Sequence, residues 1–249
     1  DDLESIDLSG LVSVDSYVYI TNNGELTGID LSSLETIDDT FYAYNNDNME
    51  SIDLSGLTTI SGNLELNNND ALESFDLPAL ETIEGTLYLY YQDNMTSFSA
   101  PALETIESSI YIYNNSGLED IDLSGLTDVY SQIYIENNDY LETIDMSTLI
   151  EVESSLYLYY NDRVESILLT SLESVGGTLY VYENPALDDI DWTSLTEVDG
   201  SVTVYDNDSY EELSFPNLIE INGSLQISNN DSMTSFSAPS LSSLSSTLT

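Results

Sequence analysis

Apolar residues recur along this chain every 23 positions, and no insertion separates any two of the repeats. Positions are numbered here from the apolar residue that opens each repeat. This zero position is occupied by Leu3, Leu26, Met49, Leu72, Met95, Leu118, Leu141, Val164, Leu187, Tyr210 and Met233. Further apolar rows follow at +3, +5, +8, +11, +15 and +17. An unbroken period of this length is typical of a solenoid, in which each repeat forms one coil stacked on the previous coil.

Two stretches of each repeat alternate between apolar and polar residues, which predicts two β-strands per coil. The first stretch is apolar at +3 and +5, and the second is apolar at +15 and +17. The apolar residues at +8 and +11 lie between these strands and are expected to point inward. Helical spacing is not sustained anywhere, and crossovers between parallel strands are nearly always right-handed. We therefore predict an all-β, right-handed parallel β-solenoid of about eleven coils with little or no helix, formed as one domain by residues 1–249.

A row of Asn residues at +20 supports this arrangement. Asn at a corner where a strand ends can bond the backbone of its own coil and of the next coil, and it tolerates left-handed backbone dihedrals. Gln92 is the one substitute in this row. The predicted structural Asn ladder consists of Asn23, Asn46, Asn69, Asn115, Asn138, Asn161, Asn184, Asn207 and Asn230.

The charge of the chain excludes several classes of partner and activity. The chain contains 47 Asp and Glu residues against a single base, Arg163, and its formal net charge is −46. Nucleic acids and anionic membranes would be repelled by such a chain. We expect no catalysis, because there is no His or Cys and the acids form the repeat, whereas a glycosidase site would interrupt it. No cofactor is expected other than Ca²⁺ or another cation.

Thirteen of the 19 Tyr residues stand at +16 and +18, where side chains should point outward in two parallel columns. Sheet stabilisation is one explanation, since aromatic neighbours on a sheet stabilise it by about 0.2–1 kcal/mol per pair. A contact surface for sugar or protein is the other, since a continuous exposed aromatic stripe exceeds what sheet stability needs. The candidate contact face comprises Tyr19, Tyr42, Tyr44, Tyr88, Tyr90, Tyr111, Tyr113, Tyr134, Tyr157, Tyr159, Tyr180, Tyr182 and Tyr205.

Carboxylates also align in rows, at +4 and at +21. Two unit charges at one strand spacing repel by about 0.9 kcal/mol even in water. A solvated acidic face in high salt, divalent cations that bridge coils or molecules, and drift under selection for solubility are three explanations that remain open. The +4 row holds Asp7, Asp30, Asp53, Asp76, Asp122, Asp145 and Asp191. The +21 row, the candidate cation site, holds Asp47, Asp70, Asp93, Asp139, Asp162, Asp208 and Asp231.

Two segments, Ser97-Phe-Ser-Ala-Pro-Ala-Leu-Glu-Thr-Ile106 and Gly177-Thr-Leu-Tyr-Val-Tyr-Glu-Asn-Pro-Ala-Leu187, resemble the receptor L-domain type of leucine-rich repeat. The pattern is most similar to that of fungal glycolipid-anchored cell-wall proteins of the sporulation and wall-integrity family. This resemblance implies an extracellular, non-catalytic wall or surface protein. The chain departs from that family by lacking Cys and nearly all bases, and by carrying Tyr on outward rows where Thr or Ser is usual.

The chain enters the repeat at phase +21 and leaves it at +16, without a capping coil at either end. It is therefore expected to be a segment of a longer chain or a subunit that stacks end to end. We predict an extracellular structural or adhesion protein that associates with itself into filaments or a surface layer, through its Tyr columns, and holds cations on its acidic faces. The alternative is a carbohydrate-binding module that uses the Tyr columns as a platform for extracellular polysaccharide. No membrane insertion is expected within this segment.

Overall fold

A computed structural model describes residues 2–249, which form a parallel β-solenoid without a helix in that range. Asp1, the first residue of the predicted domain, lies outside the described residues. Equivalent strands of successive coils pair in parallel, and the solenoid has about ten turns of 23 residues. The prediction of an all-β parallel solenoid is confirmed.

The strands are two to four residues long, and three of them belong to most coils. In chain order they are β1 (Ser5–Asp7), β2 (Ser13–Val14), β3 (Val18–Thr21), β4 (Gly28–Asp30), β5 (Thr36–Ile37), β6 (Phe41–Tyr44), β7 (Ser51–Asp53), β8 (Thr59–Ile60), β9 (Leu64–Asn67), β10 (Ser74–Asp76), β11 (Thr82–Ile83), β12 (Leu87–Tyr90), β13 (Ser97–Ser99), β14 (Thr105–Ile106), β15 (Ile110–Tyr113), β16 (Asp120–Asp122), β17 (Asp128–Val129), β18 (Ile133–Glu136), β19 (Thr143–Asp145), β20 (Glu151–Val152), β21 (Leu156–Tyr159), β22 (Ser166–Leu168), β23 (Ser174–Val175), β24 (Leu179–Tyr182), β25 (Asp189–Ile190), β26 (Glu197–Val198), β27 (Val202–Tyr205), β28 (Glu212–Ser214), β29 (Glu220–Ile221), β30 (Leu225–Ser228), β31 (Ser235–Ser237) and β32 (Ser243–Leu244).

These strands form three sides of the solenoid. The first side, from residues at +2 to +4, is divided into the sheets β1-β4-β7, β10 to β25, and β28-β31. The second side, from residues at +10 and +11, is one sheet of eleven strands from β2 to β32. The third side, from residues at +15 to +18, is one sheet of ten strands from β3 to β30. In each pair a residue faces its own equivalent in the next coil, as Leu87 faces Ile110.

The second side corrects the prediction of two strands per coil. Its strands contain one outward and one inward residue each, as in β5, where Thr36 is half-buried and Ile37 is fully buried. Two residues are too few to produce a visible alternation in the sequence, so only the inward position of the +11 residue could be predicted. The third strand exists because stacking aligns the backbone groups of successive coils there as well.

The apolar rows fill the interior between the three sides. In the central coils they are completely buried, and Ile121, Leu123 and Val129 are at most 1% exposed. Burial of side chains of this size stabilises the fold by about 1.5–3 kcal/mol each. In the first and last coils the same rows reach the surface, since Leu8 is 48% and Phe236 is 40% exposed.

A buried aromatic pair accompanies one interruption of the first side. Trp192 replaces Leu at +5, and its Nε1–H donates to the hydroxyl oxygen of Tyr210 at 3.1 Å. Both side chains are buried. The strand beside Trp192, β25, has only two residues and does not pair with β28. We attribute this interruption to the volume of the indole ring, because a larger side chain in a packed core displaces the neighbouring backbone.

The +20 Asn residues form a hydrogen-bonded ladder, fully buried in the central coils. Asn138 is representative. Its Nδ2 donates to the carbonyl oxygen of Ile112 at 3.1 Å and to Oδ1 of Asn161 at 3.2 Å. Its Oδ1 accepts the backbone N–H of Asn115 at 3.1 Å. Each amide therefore satisfies backbone groups of the strand corner and one amide of the next coil, as buried polar groups require.

The left-handed backbone conformation was predicted at the +20 Asn, but it lies one position earlier, at +19. The φ angle is positive at +19, between 47° and 58°, and not at the +20 Asn. Asn is also common at +19, where Nδ2 of Asn45 donates to Oδ1 of Asn22 at 3.1 Å on the outer surface. Tyr91, Tyr160 and Glu183 adopt the same conformation. This conformation costs about 1–2 kcal/mol for most residues other than Gly, Asn and Asp.

We expect Asn138→Leu to lower the free energy of unfolding by about 2–4 kcal/mol, because it leaves the buried carbonyl oxygen of Ile112 and the N–H of Asn115, both in the preceding coil, without the amide that bonds them. Urea titration followed by circular dichroism measures this loss. Asn138→Gln is the control, since Gln92 occupies the same row and accepts the backbone N–H of Asn69 at 3.2 Å. The Gln variant should lose clearly less stability, and equal losses in both variants would contradict the role of the amide network.

Candidate functional site on the tyrosine face

The third side of the solenoid presents aromatic rings to solvent. Its strands alternate buried and half-buried side chains, so that residues at +15 and +17 enter the core while those at +16 and +18 point outward. Tyr88 pairs in register with Tyr111, and Tyr90 with Tyr113. We name this surface the tyrosine face; it comprises Tyr19, Tyr42, Tyr44, Tyr88, Tyr90, Tyr111, Tyr113, Tyr134, Tyr157, Tyr159, Tyr180, Tyr182 and Tyr205.

Ring orientation changes along the tyrosine face. Tyr88 and Tyr111 stack with centroids 5.2 Å apart and 5° between their planes, and Tyr90 and Tyr113 stack at 4.9 Å and 9°. The parallel stacking stops at Tyr134, whose ring plane lies at 88° to that of Tyr113. The rings of the next coils meet mainly edge to face. Parallel rings cover the faces of their neighbours and expose their edges and hydroxyl groups to solvent. Where rings meet edge to face, both ring faces and ring edges are partly exposed.

Carboxylates interrupt the Tyr columns and hold phenol groups. Glu65 stands at +16 and accepts a hydrogen bond from the hydroxyl of Tyr90 at 2.5 Å. Glu136 stands at +18 and accepts one from the hydroxyl of Tyr134 at 2.5 Å. Burial, followed by the hydrogen bond to the carboxylate, raises the pKa of Tyr90 and of Tyr134. Burial also raises the pKa of Tyr42 to about 12. These rings are therefore neutral phenols at physiological pH.

The residues that interrupt the Tyr columns were not predicted from the sequence. Asn67 replaces Tyr at +18 between Tyr44 and Tyr90, is only 8% exposed, and its Oδ1 has no hydrogen-bond partner within residues 2–249. Glu183 lies at +19, one residue after the +18 column, and its carboxylate accepts a hydrogen bond from the hydroxyl of Tyr182. The gaps in the Tyr rows were the available signal for Glu65, Asn67 and Glu136.

An open cavity of about 540 Å³ lies on the tyrosine face where Glu136 replaces Tyr. Its lining combines aromatic, amide and carboxylate groups from Tyr88, Tyr111, Tyr113, Asn114, Tyr134, Glu136 and Asn137. A concave, largely aromatic surface with a few polar groups is the usual form of a binding site for small ligands. The cavity makes this part of the tyrosine face the strongest candidate site.

The +21 aspartates line an outer corner of the solenoid. An open cavity of about 560 Å³ follows this corner past Asp47, Asp70 and Asp93. Burial raises the pKa of Asp70, and Asp93 and Asp47 raise it further. Among residues 2–249, no three or more Asp, Glu, His or Cys side chains are grouped so that they could hold a metal ion. Cation binding by the +21 row therefore stays a prediction, and it would need backbone or amide oxygens as additional ligands.

The +4 aspartates have a local structural role in the corners that follow the first-side strands. Oδ1 of Asp145 accepts the backbone N–H of Ser147 at 3.0 Å, and Asp30 and Asp122 make the same contact two residues along the chain. These Asx turns close the corner after the first-side strand. Asp76 cannot form the turn, because Pro78 has no N–H to donate.

The architecture is that of a surface or ligand-binding repeat protein: a parallel solenoid with an aromatic outer face and acidic corners. A protein-family model described as Receptor L domain matches residues 53–141. That class is a solenoid-like, non-enzymatic binding fold and is typically extracellular. The match supports the resemblance to receptor L domains over this stretch, while the fungal cell-wall family is not confirmed. No curated protein and no solved structure matches the chain.

The structure also bears on membrane association in one respect. Residues 2–249 contain no helix that is long and apolar enough to cross a membrane.

We expect Asp145→Ala to lower the free energy of unfolding by about 1 kcal/mol, because it removes the hydrogen bond to the N–H of Ser147. Asp76→Ala is the matched control in the same row. It should be neutral or stabilising, since it removes a charge without removing a turn. Thermal and urea unfolding of both variants measure the difference, and the opposite ranking would exclude the Asx turns as the function of this row.

Stability is expected to rise as the pH is lowered from neutrality towards the ordinary pKa of carboxyl groups, about 4. Burial raises the pKa of Asp70 and of Asp189, and the neighbouring Asp199 raises that of Glu197. A raised folded-state pKa contributes stability that is present at low pH and is lost as the pH rises through that pKa. Asp7 acts in the opposite direction, since its hydrogen bonds to Ser9 lower its pKa, but this contribution is lost only below the ordinary value of 3.8.

The melting temperature as a function of pH measures this dependence. Asp70→Asn should flatten part of the rise, because it removes one of the groups that destabilise the folded state when charged. A melting temperature that falls steadily from neutral pH on acidification would contradict the expectation.

Proposed function

We propose that this chain is an extracellular, non-catalytic structural or adhesion repeat protein that makes its contacts through the tyrosine face. The observation that carries this proposal is the continuity of the aromatic surface. From Tyr88 to Tyr205, neighbouring ring centroids form an unbroken series of contacts no longer than 5.9 Å. Each of these rings is half-buried on the outer side of the sheet, and continuous aromatic patches that reach solvent usually mark an interaction surface. The receptor L-domain match over residues 53–141 supports display at a cell surface, since that class is typically extracellular.

Self-association into filaments or a surface layer is the form of this function that we favour. Two copies that each carry a charge of −46 repel strongly at low ionic strength. Lateral contact between tyrosine faces, or end-to-end stacking of coils, therefore requires counter-ions. Divalent cations at acidic corners, such as the one lined by Asp47, Asp70 and Asp93, would supply them.

A carbohydrate-binding module is the second candidate, and the cavity beside Tyr134 favours it. Aromatic walls can pack on sugar rings, and the amides of Asn114 and Asn137 can bond sugar hydroxyls. The charge of the chain restricts such a ligand to a neutral polysaccharide, since a uronate polymer would be repelled. Outside the cavity, the stack of Tyr182 on Tyr205 disfavours sugar stacking, because those ring faces already cover one another.

Sedimentation velocity of the purified chain tests self-association. The chain is measured at moderate ionic strength, first with a chelator and then with about millimolar Ca²⁺. We expect a monomer in chelator and large assemblies in calcium. A monomer in both conditions would exclude cation-driven assembly and favour the carbohydrate-binding function.

Paired variants show whether the tyrosine face makes the contact. The double variant Tyr157→Ser and Tyr180→Ser should abolish assembly in calcium. Tyr130→Ser should leave it unchanged, because Tyr130 is 48% exposed but lies at +12, away from the tyrosine face. Retention of a neutral β-glucan by the Tyr130 variant and its loss in Tyr111→Ser would instead support the carbohydrate-binding function. Assembly that survives the double variant would refute the proposed contact.

A further inference from the structure

Glu136 occupies a position in the +18 column where both neighbours in the sheet are Tyr. It pairs in register with Tyr113 on one side and Tyr159 on the other. A carboxylate is smaller than a phenol ring, so this substitution leaves space between the flanking rings. Tyr134, two residues before Glu136 on the same strand, lies at 88° to Tyr113. The open cavity of about 540 Å³ lies beside Glu136, on the side of Tyr113.

The carboxylate of Glu136 is held in place by one hydrogen bond, and one of its two oxygens accepts none within residues 2–249. The side chain is half-buried, and its Oε2 accepts the hydroxyl of Tyr134 at 2.5 Å. Its Oε1 accepts no hydrogen bond from any residue between 2 and 249. The cavity thus combines the rings of Tyr88, Tyr111, Tyr113 and Tyr134 with one fixed negative charge that has a free oxygen.

This combination suits an organic cation better than a neutral ligand. Aromatic rings attract cations through the negative potential of their faces, and the attraction grows when water is excluded. Quaternary ammonium groups fit aromatic cages well, since their methyl groups pack against the rings while the charge is balanced. The only base of the chain does not compete, because Arg163 lies over the ring of Tyr140, 4.0 Å from its centroid and outside the cavity lining.

We propose that this cavity binds a quaternary ammonium group through the rings of Tyr111, Tyr113 and Tyr134 and the carboxylate of Glu136. The group belongs either to a small molecule such as choline or to a trimethylated lysine side chain of a protein. The cavity volume is within the range of about 300–1,000 Å³ that is typical of ligand pockets. This site lies in the cavity that the carbohydrate-binding alternative would use, but it does not depend on the self-association proposed above.

Isothermal titration calorimetry at constant ionic strength tests the proposal with choline and with its neutral isostere, in which carbon replaces the charged nitrogen. We expect choline to bind at least about tenfold more tightly than the isostere. Potassium chloride serves as the reference for a simple counter-ion and should not displace choline at equal ionic strength. A peptide that contains trimethyllysine is titrated in parallel. Tighter binding of the peptide than of choline assigns a protein partner, and the reverse assigns a small molecule.

Two pairs of variants separate the cavity from the general negative field. Glu136→Gln should weaken choline binding by about three- to tenfold. Glu183→Gln changes the net charge equally and also removes a carboxylate bonded to Tyr, but it lies outside the cavity and should have no effect. Tyr113→Leu should weaken binding, whereas Tyr182→Leu should not, although both Tyr residues stand at +18 and stack on a neighbouring ring.

Three results would overturn the proposal: equal binding of choline and the isostere, equal losses in the Glu136 and Glu183 variants, or full displacement of choline by potassium. Thermal unfolding of each variant confirms that it is folded before it is titrated. Sedimentation of Glu136→Gln in calcium should match that of the unaltered chain, which keeps a failure of this site distinct from a failure of the proposed self-association.

Discussion

Each residue of this solenoid lies next to its own equivalent in the following coil, one strand spacing away, because every coil has the same length. Such stacking favours side chains that interact well with copies of themselves. Apolar residues pack, Asn amides bond one another along the ladder through Asn115 and Asn138, and Tyr rings stack as Tyr90 does on Tyr113. The same geometry penalises charge, since like charges then repel at short distance. The core, the Asn ladder and the tyrosine face follow from this constraint, whereas the acidic corners exist despite the repulsion that it imposes.

The chain handles its aligned carboxylates in two different ways. At +4, aspartates such as Asp145 accept the N–H groups of the corner, which gives the row a structural reason. At +21, the side chain of Asp70 accepts no such hydrogen bond from residues 2–249, and its pKa is raised by burial and by its neighbours. With a single base in the chain, this repulsion has to be relieved by protonation, salt or bound cations. Stability and association are therefore both linked to the ionic conditions.

The functional interest of the tyrosine face lies mainly where the repeat is broken. Parallel stacks such as Tyr88 on Tyr111 use their ring faces on each other and serve the sheet. The replacement of Tyr by Glu136 removes one ring, and it creates both a concave surface and a fixed charge beside aromatic walls. On such a surface the aromatic rings supply contact area, and the fixed charge selects for a ligand of opposite charge. A binding role for this side of the solenoid agrees with the receptor L-domain match over residues 53–141.

The sequence alone determined the period, the buried rows, the outward columns of Tyr and the Asn row, because stacking repeats each choice of residue type in every coil. It did not reveal the two-residue strands of the second side, which are too short to alternate, or the left-handed corner at +19, where Asn, Tyr and Glu all occur. Ring orientation and the cavity beside Glu136 were decided only by tertiary structure. They depend on how neighbouring coils fill the space that one substitution leaves, and such packing has no counterpart in a linear pattern.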